Sequence, residues 1–152
     1  TPHAAYMQTL GLETLQVRYE RQAASALKIA RMLENTPGVV KVGYPGLESH
    51  PQYALFKELY GDAAGAMVTF DLESEEACMR FIDSLKLFHR ATNLFDNRSL
   101  AIHPASTIFG NLSAAERAAM DVSDTTIRLS VGLEDPDDLY ADLADAISAA
   151  TA

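Results

Sequence analysis

The chain has 152 residues, which suits one domain, and 48% of them are hydrophobic, enough to build a core and too many for a disordered segment. Twenty-one acidic residues stand against 12 basic ones, a net charge of −9 that disfavours nucleic acid and anionic membrane as partners, because both need a basic face. The lone cysteine, Cys78, forms no internal disulfide, no apolar run approaches the ~20 residues of a membrane span, and no secretory signal is visible, so a cytoplasmic protein is expected.

The start at Thr1-Pro2, directly before a helix, suggests a piece of a longer chain. From residue 3 to 34 there is no proline and one glycine, Gly11, and Met7, Leu10, Leu15, Ala23, Ala26, Leu27, Ala30 and Leu33 recur at helical spacing. This predicts one long helix, kinked or interrupted near Gly11 and stopped by Asn35-Thr36-Pro37-Gly38. Arg18 and Arg21 on it either face another subunit or lie on plain surface. Val39, Val40 and Val42 make a first strand, and a helix after His50-Pro51 runs to about Tyr60, where Gly61 ends it. Ala66 to Leu72 is a second strand. Ser74 with Glu75-Glu76 opens a helix whose buried face is Cys78, Phe81, Ile82 and Leu85. Phe88 to Leu94 reads as a third strand, and Asp96 to Leu112 as a long irregular stretch with two short apolar patches. Ser113-Ala114-Ala115-Glu116 is a capping-box pattern. Thr125 to Val131 is the fourth strand, and Asp135-Pro136 begins the last helix through Leu139, Leu143 and Ile147. Four strands with helices mainly on one face predict an α+β sandwich in a single domain, 1–152, with the strand pairing left open.

The fourth strand carries Arg128 at its middle. A guanidinium is always charged and costly to bury alone, so Arg128 either holds an internal carboxylate or waits for one from outside. Together with Gly11-Leu12-Glu13-Thr14-Leu15 and Arg18, Tyr44-Pro45-Gly46-Leu47, Ser49-His50-Pro51, Asp83-Ser84-Leu85-Lys86-Leu87-Phe88, His103-Pro104-Ala105-Ser106 and Arg117, the run Arg128-Leu129-Ser130-Val131-Gly132-Leu133-Glu134-Asp135 resembles the C-terminal domain of the Cys/Met-metabolism family of pyridoxal-phosphate (PLP) enzymes. Asn93, Asp96 and Ser99 followed by His103-Pro104-Ala105-Ser106-Thr107 look like its O-acetylhomoserine sulfhydrylase branch, where the γ-lyase and cystathionine synthase branches usually have Ser at the place of Asn93.

The resemblance implies the small C-terminal domain of a fold-type I PLP enzyme. It implies that Arg128 clamps the α-carboxylate of an amino-acid substrate with its planar fork, and that Asn93 adds an amide donor. It implies γ-replacement, in which sulfide or a thiol takes the place of acetate on O-acetylhomoserine to give homocysteine or methionine, with PLP as electron sink. The PLP and its lysine then belong to a larger N-terminal domain, the partner of this one in a homotetramer. Lys28, Lys41, Lys57 and Lys86 lack the Ser-rich setting of that lysine, and Gly38, Gly43 and Gly46 read as turn glycines, so the chain alone is expected to be inactive. Two departures from the pattern are Phe95, where glycine is common, and Ile108-Phe109 in place of a Thr-His pair.

The remaining candidates have plainer readings. Cys78 is a small packed or half-exposed residue. His103 anchors its turn rather than acting as a base, and the Ser106 hydroxyl closes the same turn. His3, His50 and His89 are too scattered for a metal site with Cys78, and Asp135, Asp137, Asp138, Asp142 and Asp145 lack the pattern of a calcium loop and read as a solvated helix face. A stand-alone module that binds amino acids or mediates assembly, without catalysis, is the alternative to the enzyme domain.

Overall fold

The computed structural model describes residues 1–151. The long N-terminal helix is two helices, α1 (Pro2–Glu13) and α2 (Leu15–Leu33). The break falls at Thr14 and not at Gly11, which stays helical with open space around it. Arg18 spans the break, donating to Thr14 Oγ1 and to the carbonyl of Gly11 at 2.6 Å. None of α1 is buried, whereas α2 buries Ala23, Ala26, Ile29, Ala30 and Leu33 at helical spacing.

The remaining elements are β1 (Lys41–Gly43), α3 (Tyr53–Tyr60), β2 (Met67–Asp71), α4 (Glu75–Ser84), β3 (His89–Arg90), β4 (Leu100–Ile102), α5 (Ala114–Ala119), β5 (Thr126–Ser130) and α6 (Pro136–Thr151). Ser74 caps α4 through the N–H of Ala77, and the Ser113–Glu116 capping box forms in full at α5. The architecture is α+β, but the sheet has five strands and not four, in the order β1-β2-β5-β4-β3. All neighbours are antiparallel except β3 and β4, which are parallel. The extra strand, β4, lies in the stretch expected to be irregular. Its three residues are all buried, so it lacks the alternation that marks a half-buried strand. The expected third strand shrinks to two residues, because Ala91 to Leu94 turn away, exposed, from the sheet edge.

Alternation along the strands makes the sheet two-faced. Val42, Phe70 and Ile127 form one row across it and Val68, Leu129 and Ala101 another, and both join the core with α2, α4 and α6. Phe70 meets Phe81 of α4 edge-on, ring centroids 5.3 Å apart. Each large side chain buried here contributes about 1.5–3 kcal/mol. The other face presents the row Gly43, Thr69, Arg128 and Ile102. Among the described residues no helix is long and apolar enough to cross a membrane.

Asp142 corrects the reading of the acidic α6 face. It is buried, and its carboxylate accepts the N–H groups of Lys86, Leu87 and Phe88 at 2.9, 2.9 and 3.2 Å. It thereby fixes the link from α4 to β3, while Asp137, Asp138 and Asp145 are exposed. Asp142→Ala leaves three N–H groups unpaired and should cost about 2–4 kcal/mol, whereas Asp138→Ala should change stability by less than about 0.5 kcal/mol. Urea unfolding curves, compared at unchanged slope, check this contrast.

Candidate functional site

Arg128 sits at the middle of β5, the central strand, half-buried on the face away from the core. It lines a broad groove of about 1420 Å³ whose floor includes Thr69, Asp71 and Thr126 and whose far side includes Pro104, Ile108, Phe109 and Ala118. Among the described residues its one side-chain hydrogen bond runs from Nη2 to Thr92 Oγ1 at 3.2 Å. Among the described residues no carboxylate lies within ion-pairing distance of it. Burial without a counter-charge pushes its pKa down. Two residues on, on the same face, the buried Ser130 hydroxyl has no partner among the described residues, a state that costs about 1–3 kcal/mol.

Asn93 lies next to Thr92, the residue that Arg128 holds, in a smaller hollow of about 360 Å³ bounded by His89, Arg98 and Leu100. No hydrogen bond joins Asn93 to Arg128 among the described residues. The Asn93 amide serves its own turn instead. Its Nδ2 donates to Asp96 Oδ2 at 3.1 Å and its Oδ1 accepts the N–H of Leu94 at 2.9 Å. Asp96 also accepts from the Arg98 guanidinium and the Arg98 N–H. The Arg98 side chain, then its N–H and the Asn93 amide, hold the Asp96 carboxyl well below the usual carboxylate range. Phe95, inside this turn, adopts φ 55°, the left-handed region, which costs a non-glycine residue about 1–2 kcal/mol.

What holds this turn beside β5 is a clasp of side chains on backbone. Glu134 accepts the N–H and the hydroxyl of Ser99, both at 2.8 Å, and the Ser99 hydroxyl accepts the N–H of Gly132 at 2.8 Å. The N–H of Leu133 donates to the carbonyl of Asn97. Gln22, buried in α2, donates to the carbonyls of Asp96 and Val131 at 2.8 and 3.0 Å. Thr92, Gln22 and Glu134 were not singled out by sequence reasoning. Their partners lie 35 to 109 residues away, and only the Gly132-Leu133-Glu134 run hints at a crowded turn.

His103 does anchor its turn. It is buried, with Nδ1 2.8 Å from Ser106 Oγ and Nε2 2.8 Å from the carbonyl of Asp124. Arg117 clamps Asp124 and the carbonyl of Leu112, so the segment beside the groove is tied at several points. Cys78 is fully buried, and burial pushes its thiol up to about 11, far from a nucleophile. Among the described residues no group of three His, Cys, Asp or Glu is placed to hold a metal.

A family profile described as Cys/Met metabolism PLP-dependent enzyme matches residues 1–148. The chain belongs to this family. It is 43% identical over 150 residues to an O-succinylhomoserine sulfhydrylase of Pseudomonas aeruginosa, covering 98% of this chain and 37% of that one. It is 43% identical over 148 residues to O-acetyl-L-homoserine sulfhydrylase 1 of Thermus thermophilus, covering 97% and 35%, and 43% identical over 150 to an L-methionine gamma-lyase of Pseudomonas deceptionensis, covering 98% and 37%. A Campylobacter jejuni crystal structure containing N′-pyridoxyl-lysine-5′-monophosphate matches with a TM-score of 0.92 at 41% identity, over 97% of this chain and 35% of that one. The chain thus spans little more than a third of these relatives.

The family depends on PLP, yet the described residues do not fit as its holder. A lysine that forms a Schiff base needs a desolvated amine that readily loses its proton. Here Lys28 pairs with Asp137 at 2.5 Å, Lys57 pairs with Asp62, which raises its pKa, Lys86 lies 3.8 Å from Asp145, and Lys41 is exposed on edge strand β1. Nor do Gly38, Gly43 and Gly46 form a phosphate cradle, since each packs against the chain's own side chains.

Two outcomes follow from the clasp. A Cβ on Gly132 would stand 2.5 Å from the Asn97 carbonyl oxygen and 2.6 Å from the Arg98 carbonyl carbon, so Gly132→Ala should cost about 1–3 kcal/mol and speed amide exchange from Asn97 to Ser99. Because the Asp96 pKa is lowered by folding, its contacts are complete above the ordinary aspartate value, about 4, and are lost only as pH falls through the lower folded value. Carboxyl NMR shifts should show Asp96 still ionised at pH values where a free aspartate is mostly protonated.

Proposed function

We propose that this chain is the C-terminal, substrate-carboxylate-binding domain of an O-acetylhomoserine sulfhydrylase-like PLP-dependent enzyme, which makes homocysteine or methionine by γ-replacement. The observation that carries the reading is Arg128, a permanent charge in the central strand with a single hydroxyl partner and no internal carboxylate among the described residues. A planar fork in that state suits the α-carboxylate of an amino acid, which it can grip in bidentate fashion. The second hydrogen of Asn93 Nδ2, in the neighbouring hollow, is the amide donor that assists Arg128. PLP and its lysine belong to an N-terminal domain, and the chain's own contribution is placement: it fixes one end of the substrate and so removes orientational entropy from the barrier.

Elimination is the second reading, because the methionine gamma-lyase relative is as similar as the sulfhydrylases. Asn93, where that branch usually has Ser, weighs towards replacement. A stand-alone amino-acid-binding module would use Arg128 equally but would turn over nothing in the complete protein.

Arg128→Lys in the complete, PLP-loaded protein keeps the charge and loses the fork. It should lower kcat/KM for O-acetylhomoserine by about 30-fold to several-thousand-fold, equivalent to about 2–5 kcal/mol, with the melting temperature nearly unchanged because the partner is the substrate. Asn93→Ala should act the same way but more weakly. Steady-state kinetics beside a melting curve decide it. A change of only a few fold, or an unfolded domain, would make Arg128 a structural residue and end the carboxylate reading.

A further inference from the structure

Phe95 holds a backbone conformation that its side chain disfavours, in the turn that carries Asn93. Its ring is stacked on Tyr19 of α2, with centroids 5.8 Å apart and planes 23° from parallel. It also covers Gly65, where a Cβ would sit 3.2 Å from Phe95 Cζ. The other end of Tyr19 is fixed, since its hydroxyl donates to the carbonyl of Ala63 at 2.7 Å. One helical turn further along α2, on the same face, Gln22 donates to the carbonyl of Asp96. Two adjacent residues of the turn, Phe95 and Asp96, are therefore gripped by one helix face. Asp96 in turn holds Asn93 Nδ2 and so sets where the second amide hydrogen points.

We propose that Tyr19 and Phe95 are a positioning pair for the substrate carboxylate: their stack holds the left-handed turn in the geometry that presents the Asn93 amide. The proposal rests on the carboxylate reading above. The pair touches no reacting atom, so it acts on substrate affinity and not on the chemical step. Without the stack, nothing offsets the strain at Phe95, and the turn relaxes away from the presented geometry.

The test uses the complete PLP-loaded protein, with Arg128→Lys as reference. Tyr19→Ala should raise KM for O-acetylhomoserine about 3- to 10-fold, the size of a stacked aromatic pair, with kcat within about twofold. Tyr19→Phe keeps the ring and should restore KM. Adding Phe95→Gly to Tyr19→Ala removes the strain that the stack offsets, so the double variant should bring KM back from the Tyr19→Ala value; a double variant as impaired as Tyr19→Ala would overturn the role. Amide exchange from Leu94 to Arg98 should quicken in Tyr19→Ala and not in Tyr19→Phe. If Arg128→Lys is damaging while Tyr19→Ala leaves KM and exchange unchanged, the positioning role is wrong and the carboxylate reading stands. Tyr19→Phe as harmful as Tyr19→Ala, or a loss confined to kcat, also overturns the role. If Arg128→Lys is harmless, the carboxylate reading fails and takes the pair's role with it.

Discussion

The arrangement of this domain depends on the clasp between Glu134, Ser99 and Gly132. One carboxylate and one hydroxyl satisfy backbone N–H groups on two segments 33 to 35 residues apart. Such bonds to a charged acceptor are worth more than neutral ones, and Gly132 lets the two backbones approach closely enough to make them. The clasp sits just past the end of β5. It therefore fixes the turn of Asn93 to Ser99 relative to the strand that carries Arg128, and Gln22 repeats the tie from the helix layer. Without it, the turn of Asn93 would be tied to the Arg128 strand only by Gln22 and by the pairing of β3, β4 and β5.

The sheet explains why Arg128 is available at all. Helices cover one face, so every second residue of β5 goes to the core and the intervening ones face the groove. Ile127 and Leu129 anchor the strand on either side of Arg128. The guanidinium is thus held on a rigid support while its charge remains partly solvated, a compromise between placement and the cost of burial. A shift of one residue in the pairing of β5 would send Arg128 into the core, so the apolar pattern protects the site as well as the fold.

Much of this was legible in the sequence. Alternation in β2 and β5 and helical spacing in α2, α4 and α6 reflect one-sided burial, which the order of apolar residues records directly. Capping at Ser74 and Ser113 is local chemistry and was legible for the same reason. β4 was not, because three residues buried on both sides carry no period. The break at Thr14 was misplaced to Gly11, since glycine is tolerated in an exposed helix whose backbone bonds stay intact. Asp142 and Gln22 were illegible in principle: a buried polar side chain is disguised as a surface one until its distant backbone partners are known. Arg128 and Asn93 stood out because a charge in an apolar strand and an amide in a resembling motif are unusual in themselves. Thr92 and the strain at Phe95 needed coordinates.

The strand order carries a consequence for how the chain is made. β5 joins the pair β1-β2 to the pair β4-β3, yet it is the last strand to be synthesised. Until about residue 130 has left the ribosome, β2 and β4 each present an open edge with no neighbour to close it, and their apolar faces lack α6. A nascent chain in this state is a holding pattern of two unconnected half-sheets, exposed to association with other chains. Closure of both edges requires β5, which comes after the other four strands in the chain. The order of five short strands thus sets the stage of translation at which both inner edges of this sheet can be covered.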